Sequence, residues 1–293
     1  MQNNPFLPVL GLVTAAALWG SAFIAMKVAV MAYDPMLVIL VRLSLGSLIF
    51  LALRRYFRGW RTAYRKGDWR FLILMALFEP CLYFVMEAYA LRLTTASQAG
   101  MIMAVLPLMV AVFAWLLLKE RIRSRTWLGF FLAVGGVLWL SATSEASESA
   151  PNPFLGNCLE LGAGLCATGY MITLKRLSPR YSPWFLTAIQ SWVGSIFFLP
   201  ALVFPWTTYP TRFELLPFLA ILYLGVVVTI TAYGLYNFGL SRLPAHQASA
   251  FINLIPVFAI VLGYLCLGET FTSWQALAST LVLGGVLLSQ VRH

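Results

Sequence analysis

Residues 91–138, "LRLTTASQAGMIMAVLPLMVAVFAWLLLKERIRSRTWLGFFLAVGGVL", return near the end of the chain as residues 240–287, "LSRLPAHQASAFINLIPVFAIVLGYLCLGETFTSWQALASTLVLGGVL". The two stretches align without a gap. Gln98 meets Gln247, Pro107 meets Pro256, Glu120 meets Glu269, and Gly135-Gly136 meets Gly284-Gly285. Matched leucines and valines carry little weight in apolar sequence, but matched Pro, Gln, Glu and Gly-Gly mark an internal duplication. Lys27 and Lys175 also correspond, near the ends of the first apolar span of each half.

The duplicated unit belongs in a membrane. Of the 293 residues, 61% are hydrophobic and 10% charged, more apolar surface than a soluble domain of this length can hide. Repeated apolar runs of about 20 residues each match a hydrocarbon layer of roughly 30 Å. An all-α integral membrane protein follows, because a barrel needs short segments of alternating polarity and "AVLPLMVAVFAWLLL" (104–118) is apolar all round. The net charge of +10 does not indicate a nucleic-acid partner, since the basic residues sit in short loops and no soluble basic domain carries them. Cys81, Cys158, Cys166 and Cys266 stand singly inside apolar runs, a pattern of core packing with no metal-ligand spacing. The N-terminal stretch lacks a basic leader region and its apolar run passes residue 25, so it reads as an uncleaved first span.

Ten transmembrane helices are expected, near 7–30, 36–54, 70–91, 94–118, 126–141, 155–174, 183–204, 214–240, 246–267 and 273–290. Lys and Arg concentrate on cytoplasmic loops. With the N-terminus inside, those loops receive Arg54, Arg55, Arg58, Arg61, Arg65, Lys66 and Arg70, then Lys119, Arg121, Arg123 and Arg125, then Lys175, Arg176 and Arg180, then Arg242 and Arg292. The other side receives Lys27, Arg92, Arg212 and the acidic segment at 142–153. Both termini are therefore expected in the cytoplasm of a cell bounded by this inner, plasma membrane. The segment 142–153 is a linker between one five-helix repeat, 1–141, and a second, 154–293. Five spans per half is an odd number, so the copies enter the membrane from opposite sides: a 5+5 inverted-topology repeat, with a site expected between halves near the midplane.

These residues resemble a known family. "ALWGSAFIAMKV" in the first span, the repeated stretch and its echo carry the pattern of the drug/metabolite transporter superfamily, and within it of ten-helix EamA-type transporters. The resemblance covers almost the whole chain. It implies a helical bundle with a central cavity and movement of a small molecule by alternating access. It implies no cofactor, and the chain shows no Walker-type glycine loop for a nucleotide. The Glu79-Pro80 pair is not part of the general family pattern, and no substrate signature can be matched.

Charges inside the spans are the candidates for function, because an ionisable group costs several kcal/mol in hydrocarbon. Glu79 lies about 18 Å below the outer end of the third span and Glu87 about 6 Å below it. Spacings of four place Glu79, Tyr83 and Glu87 on one helix face. Arg42, Lys27 and Glu160 fall near the depth of Glu87, so two cations and two carboxylates form either an interior salt-bridge network or a site for a charged cargo. In the second case Arg42 and Lys27 attract a carboxylate and the acidic pair holds an amine, a combination that suits a zwitterionic amino acid. Glu79 is the proton-coupling candidate. Trp19 and Tyr83 are the best placed aromatics, Asn253, Gln98 and Gln247 are candidate polar groups, and Pro107 and Pro256 are matched helix interruptions that can act as hinges.

The expected function is secondary active transport of a small organic metabolite, with export of amino acids or related compounds as the leading reading. The alternative is uptake of a vitamin or other nutrient. An intramembrane enzyme is disfavoured: neither HExxH nor GxSxG occurs, and His246 is the sole internal histidine.

Overall fold

The computed structural model describes residues 6–53, 64–118, 124–243 and 251–290. Helix α1 spans Phe6–Ala32, α2 Pro35–Ala52, α3 Asp68–Leu93, α5 Ser124–Ala142, α6 Pro153–Leu177 and α7 Pro183–Leu202. Helix α4 runs Ala96–Ile102, Met103–Val105 and Leu106–Leu118, α8 Leu215–Gly239, α9 Phe251–Leu267, and α10 Ser273–Gln290. Seven helices among the described residues are long and apolar enough to cross a membrane, and α9 and α10 are shorter apolar helices. Helix α6 has the length but carries Glu160, Lys175 and Arg176. Large apolar side chains such as Leu48, Phe131, Ile196, Leu265 and Leu277 face outward, while Arg42, Glu79, Glu87 and Glu160 are buried. Apolar outside and charged inside is the inverse of a soluble protein, and this is an integral membrane protein.

Local chemistry starts several helices in one way. Asp34, Asn152 and Ser182 each accept a bond from a backbone N–H of the first turn, and each precedes a proline at the first helical position. The side chain serves a donor the helix cannot, and the proline lacks the N–H that would be left over. Helix α9 ends at Gly268, whose φ of 65° closes the last turn in the left-handed region.

Two helices depart from the continuous spans expected. Within α3 the backbone widens over Leu77–Leu82, and Glu79 is extended at φ −146°, ψ 117°. A residue before proline is pushed out of the helical region by the ring, so Pro80 accounts for the break. A second wide turn occupies Tyr223–Ala232 of α8, the corresponding place in the second half. Pro107 and Pro256 stand where α4 and α9 change from a short 3₁₀ turn to an α-segment. Each is the second residue of that segment, Leu106–Leu118 or Ile255–Leu267, after the turn at Met103–Val105 or Phe251–Leu254. The ring removes the N–H that would donate to the carbonyl four residues back, in the turn itself.

Packing follows pairs: α5 against α10, α2 against α7, α4 against α9, and α1 against α8 as α3 is against α6. At the α5–α10 contact backbone meets backbone. A β-carbon on Gly129 would collide with the carbonyl oxygen of Gly285, and one on Gly285 with that of Gly129. Glycines at both sites let the two backbones touch.

The joints sort to two ends of the bundle. At one end Lys27 Nζ donates to the carbonyls of Leu91 and Thr94, both at 2.6 Å, and to that of Ser149. Tyr33 meets Glu214, and Thr208 donates to Asp34. Glu269 accepts from Ala96 N at 2.9 Å and Ser97 N at 2.8 Å. A polar cluster closes the same end: Asn157 Nδ2 donates to Gln98 and Ser141, and Thr94 Oγ1 donates to Asn157. At the other end Asp68 accepts from Arg65 N, Arg180 and Tyr181. Burial and the bond to Asp68 push the Tyr181 phenol up to about 12, so it remains a donor.

Glu269 thus ties the α9–α10 connection to the first turn of α4 in the other half. Glu269→Gln keeps one acceptor oxygen and loses the second and the charge. It is expected to lower stability by about 1–2 kcal/mol, read as a fall in thermal midpoint of the detergent-solubilised chain. An unchanged midpoint would remove this clamp from the account.

Candidate functional site

Three of the buried charges, Arg42, Glu79 and Glu87, converge on one cavity inside the bundle. Trp19, Ala22 and Phe23 of α1, Arg42 of α2, and Glu79, Tyr83, Phe84 and Glu87 of α3 form its first wall. Met103 and Leu106 of α4, Ala167, Tyr170 and Met171 of α6, Tyr233 of α8, and Ile252 and Ile255 of α9 complete it. The free volume is about 50 Å³. Since one water needs about 10–15 Å³ by that measure and small-molecule sites run to roughly 300–1,000 Å³, this is a closed conformation.

The break in α3 gives Glu79 two separate contacts. Its freed carbonyl accepts from Gln190 Nε2 of α7 at 2.9 Å, and its carboxylate accepts from the Tyr233 hydroxyl of α8. One residue of the first half is so held by two helices of the second. One helical turn on, Tyr83 OH donates to Glu87 Oε1 at 2.9 Å.

Arg42 faces these carboxylates. Its Nε lies 3.3 Å from Thr229 Oγ1 of α8, and its guanidinium carbon sits 3.9 Å above the Phe84 ring. Stacking on the ring orients the fork and offsets part of the burial cost. Its Nη1 has no hydrogen-bond partner among the described residues. Arg42 and Glu87 are not within ion-pair distance; the ion pair found among the described residues is Arg180 with Asp68 at the far end. A salt bridge therefore does not account for Arg42 in this conformation. Glu160 of α6 is fully buried and has neither carboxylate oxygen bonded among the described residues.

Of the residues singled out from the sequence, Trp19, Arg42, Glu79, Tyr83 and Glu87 line the same cavity. Trp19 packs at 5.3 Å from Tyr233 and 4.9 Å from Tyr236, with its Nε1 unbonded among the described residues. Asn253 stands between the lining residues Ile252 and Ile255 and is not itself part of the wall. Pro107 follows Leu106, and Pro256 follows Ile255, both lining residues, so the matched prolines flank the cavity from opposite halves. Lys27 is apart from it, its amine spent on three carbonyls near a wider recess at the sealed end, and Gln98 belongs to the polar cluster there. Gln247, Glu120 and His246 lie outside the described residues.

Gln190, Thr229, Tyr170 and Phe84 were not singled out. Gln190 carried a signal, a lone amide in an otherwise apolar span. Thr229 and Phe84 carried none.

Two stretches, residues 6–142 and 154–290, each match the EamA-like transporter family. An uncharacterized transporter of Bacillus subtilis (strain 168), YetK, is 26% identical over 286 residues, 96% of this chain and 86% of that one. An uncharacterized transporter of Archaeoglobus fulgidus is 24% identical over 94% of each chain. The WAT1-related protein At3g02690, chloroplastic, of Arabidopsis thaliana is 27% identical over 98% of this chain and 70% of its own. One solved crystal structure superposes with a TM-score of 0.67 over 96% of both chains at 19% identity, a likeness of fold.

Proposed function

We propose, for a chain that belongs to the EamA-like transporter family of the drug/metabolite transporter superfamily, that it moves a zwitterionic metabolite through the central cavity by alternating access, with export of amino acids or related compounds as its task. The observation that carries this reading is Arg42: a buried guanidinium aimed into the cavity with an unbonded Nη1, facing Glu79 and Glu87. An unpaired buried donor is costly, and a cargo carboxylate would satisfy it. The carboxylates opposite would hold the cargo's amine, and the rings of Trp19, Tyr83, Phe84 and Tyr233 its apolar part.

The architecture we propose is ten spans in two inverted halves. The bonds of Tyr33, Asn152 and Asp34 support this reading, since they gather the end of α1, the starts of α2 and α6 and the segment after α7 at one end of the bundle. The double family match supports the duplication. With the halves in opposite sense, rocking one against the other would expose the cavity to either side in turn. Basic residues at the Asp68 end support a cytoplasmic assignment for that end and for both termini. Glu79, held across the halves by Gln190 and Tyr233, is the proposed carrier of a coupling proton, and Pro107 and Pro256 the proposed hinges. Nothing in this reading calls for enzymatic chemistry.

Counterflow in proteoliposomes of the purified chain tests the cargo class. Zwitterionic amino acids are expected to exchange, and simple organic acids and simple amines of matched size to exchange at least tenfold more slowly. Equal exchange of simple acids would show that the acidic side of the cavity does not read the cargo.

A further inference from the structure

The strongest charged recess outside the cavity lies at the Asp68 end, between the start of α3 and the end of α6. It has a volume of about 380 Å³ and is bordered among the described residues by Arg65, Lys66, Arg70, Arg176 and Arg180, with Asp68 as the single acid among them. Asp68 holds the recess in shape: its Oδ2 accepts from Arg65 N at 3.0 Å, Arg180 Nη1 at 2.7 Å and Tyr181 OH at 2.8 Å. Those bonds join the 64–67 turn to the 178–182 turn. Gly67, at φ 98°, lets the first turn fold back. Arg176 lies flat on Phe71, 3.9 Å from its centroid. One acid against five bases leaves a concentrated positive field in a concave site.

We infer that this recess binds the headgroup of an anionic phospholipid. Positive charge alone would also accept free phosphate. What favours lipid is the surface directly beside the recess on α3. Trp69, 52% exposed, and Ile73 stack one turn apart, and Leu74 lies one turn below Arg70. The helix thus presents cations at its start and exposed apolar side chains just beneath them. That is the profile of a phospholipid, phosphate outermost and acyl chain below, and basic pockets between membrane helices bind such headgroups. Trp69 also suits the interface between the two layers.

The test uses the full chain, extracted from nanodiscs of phosphatidylcholine with or without phosphatidylglycerol, with retained lipid counted by native mass spectrometry. One phosphatidylglycerol is expected to persist per chain in preference to phosphatidylcholine. Lys66→Gln and Arg176→Gln stand outside the Asp68 bonds, and each is expected to weaken that preference about fivefold. Arg125→Gln, at the start of α5, should leave it unchanged. Equal retention of phosphatidylcholine would overturn the site, as would an undiminished preference in both variants. Glycerol phosphate or inorganic phosphate that displaced the lipid at equal concentration would identify a soluble phosphate as the ligand and reject the lipid.

Discussion

Arg42→Ala is expected to reduce counterflow of a zwitterionic cargo roughly 10- to 100-fold while leaving a folded protein. Among the described residues the guanidinium makes one long bond, to Thr229, and one stacking contact, with Phe84, and leaves Nη1 unbonded. Its loss therefore removes little from the fold, and taking an incompletely paired charge out of the interior offsets part of that loss. The cargo would lose a charged hydrogen bond, commonly about 1.5–3 kcal/mol, which sets the expected factor. Arg42→Lys should restore only part of the rate, because an ammonium can neither stack on Phe84 as a plane nor present a fork to a carboxylate. A structural role predicts the reverse pattern: a large fall in thermal midpoint and yield, with normal transport by the protein that survives. Normal transport by the alanine variant would end the assignment of Arg42 to the cargo.

Glu79→Gln is expected to abolish accumulation driven by a pH gradient. If cargo leaves as one proton enters, cargo collects on the acidic side, about tenfold per pH unit at equilibrium. Glutamine keeps the size of the side chain and an oxygen that can accept from Tyr233, and the backbone bond from Gln190 is untouched. What it cannot do is exchange a proton. With Glu87 left to hold the amine, the variant should still exchange cargo at equal pH, more slowly, and should equilibrate it to equal concentrations across a gradient. Accumulation that survives in the variant would move coupling to another group, and Glu160, unbonded among the described residues, is the first to try. Wild-type protein that fails to accumulate would dispose of proton coupling altogether, without touching the Arg42 result.

The candidate site was half legible. Arg42, Glu79, Tyr83, Glu87 and Trp19 stood out because each is polar or amphipathic where the chain is otherwise apolar, and all five line the cavity. Lys27 stood out for the same reason yet serves three carbonyls at the sealed end. Counting residues along a helix measures depth, and Lys27 and Arg42 have similar depth; it does not measure which neighbours a side chain turns toward. The α3 break had a visible cause in Pro80. Its companion at Tyr223–Ala232 contains no proline, and "YLGVVVTITA" reads as unbroken helix.

Chain chemistry alone was enough for what depends on transfer into lipid and on near neighbours. It yielded the apolar runs and their approximate limits, the sorting of basic residues, and the duplication that matched Pro, Gln and Gly-Gly reveal. Those properties are set within a few residues or by counting. The assembled bundle decided the rest: that Gln190 and Tyr233 hold Glu79, that Arg42 stacks on Phe84 instead of pairing with Glu87, that Glu269 caps α4, and that Glu160 is buried with no bond among the described residues. Each of these joins residues far apart in the chain, and a helix in lipid is apolar on nearly every side. Its rotation is therefore fixed by the helices packed against it and is only weakly written in its own hydrophobic pattern.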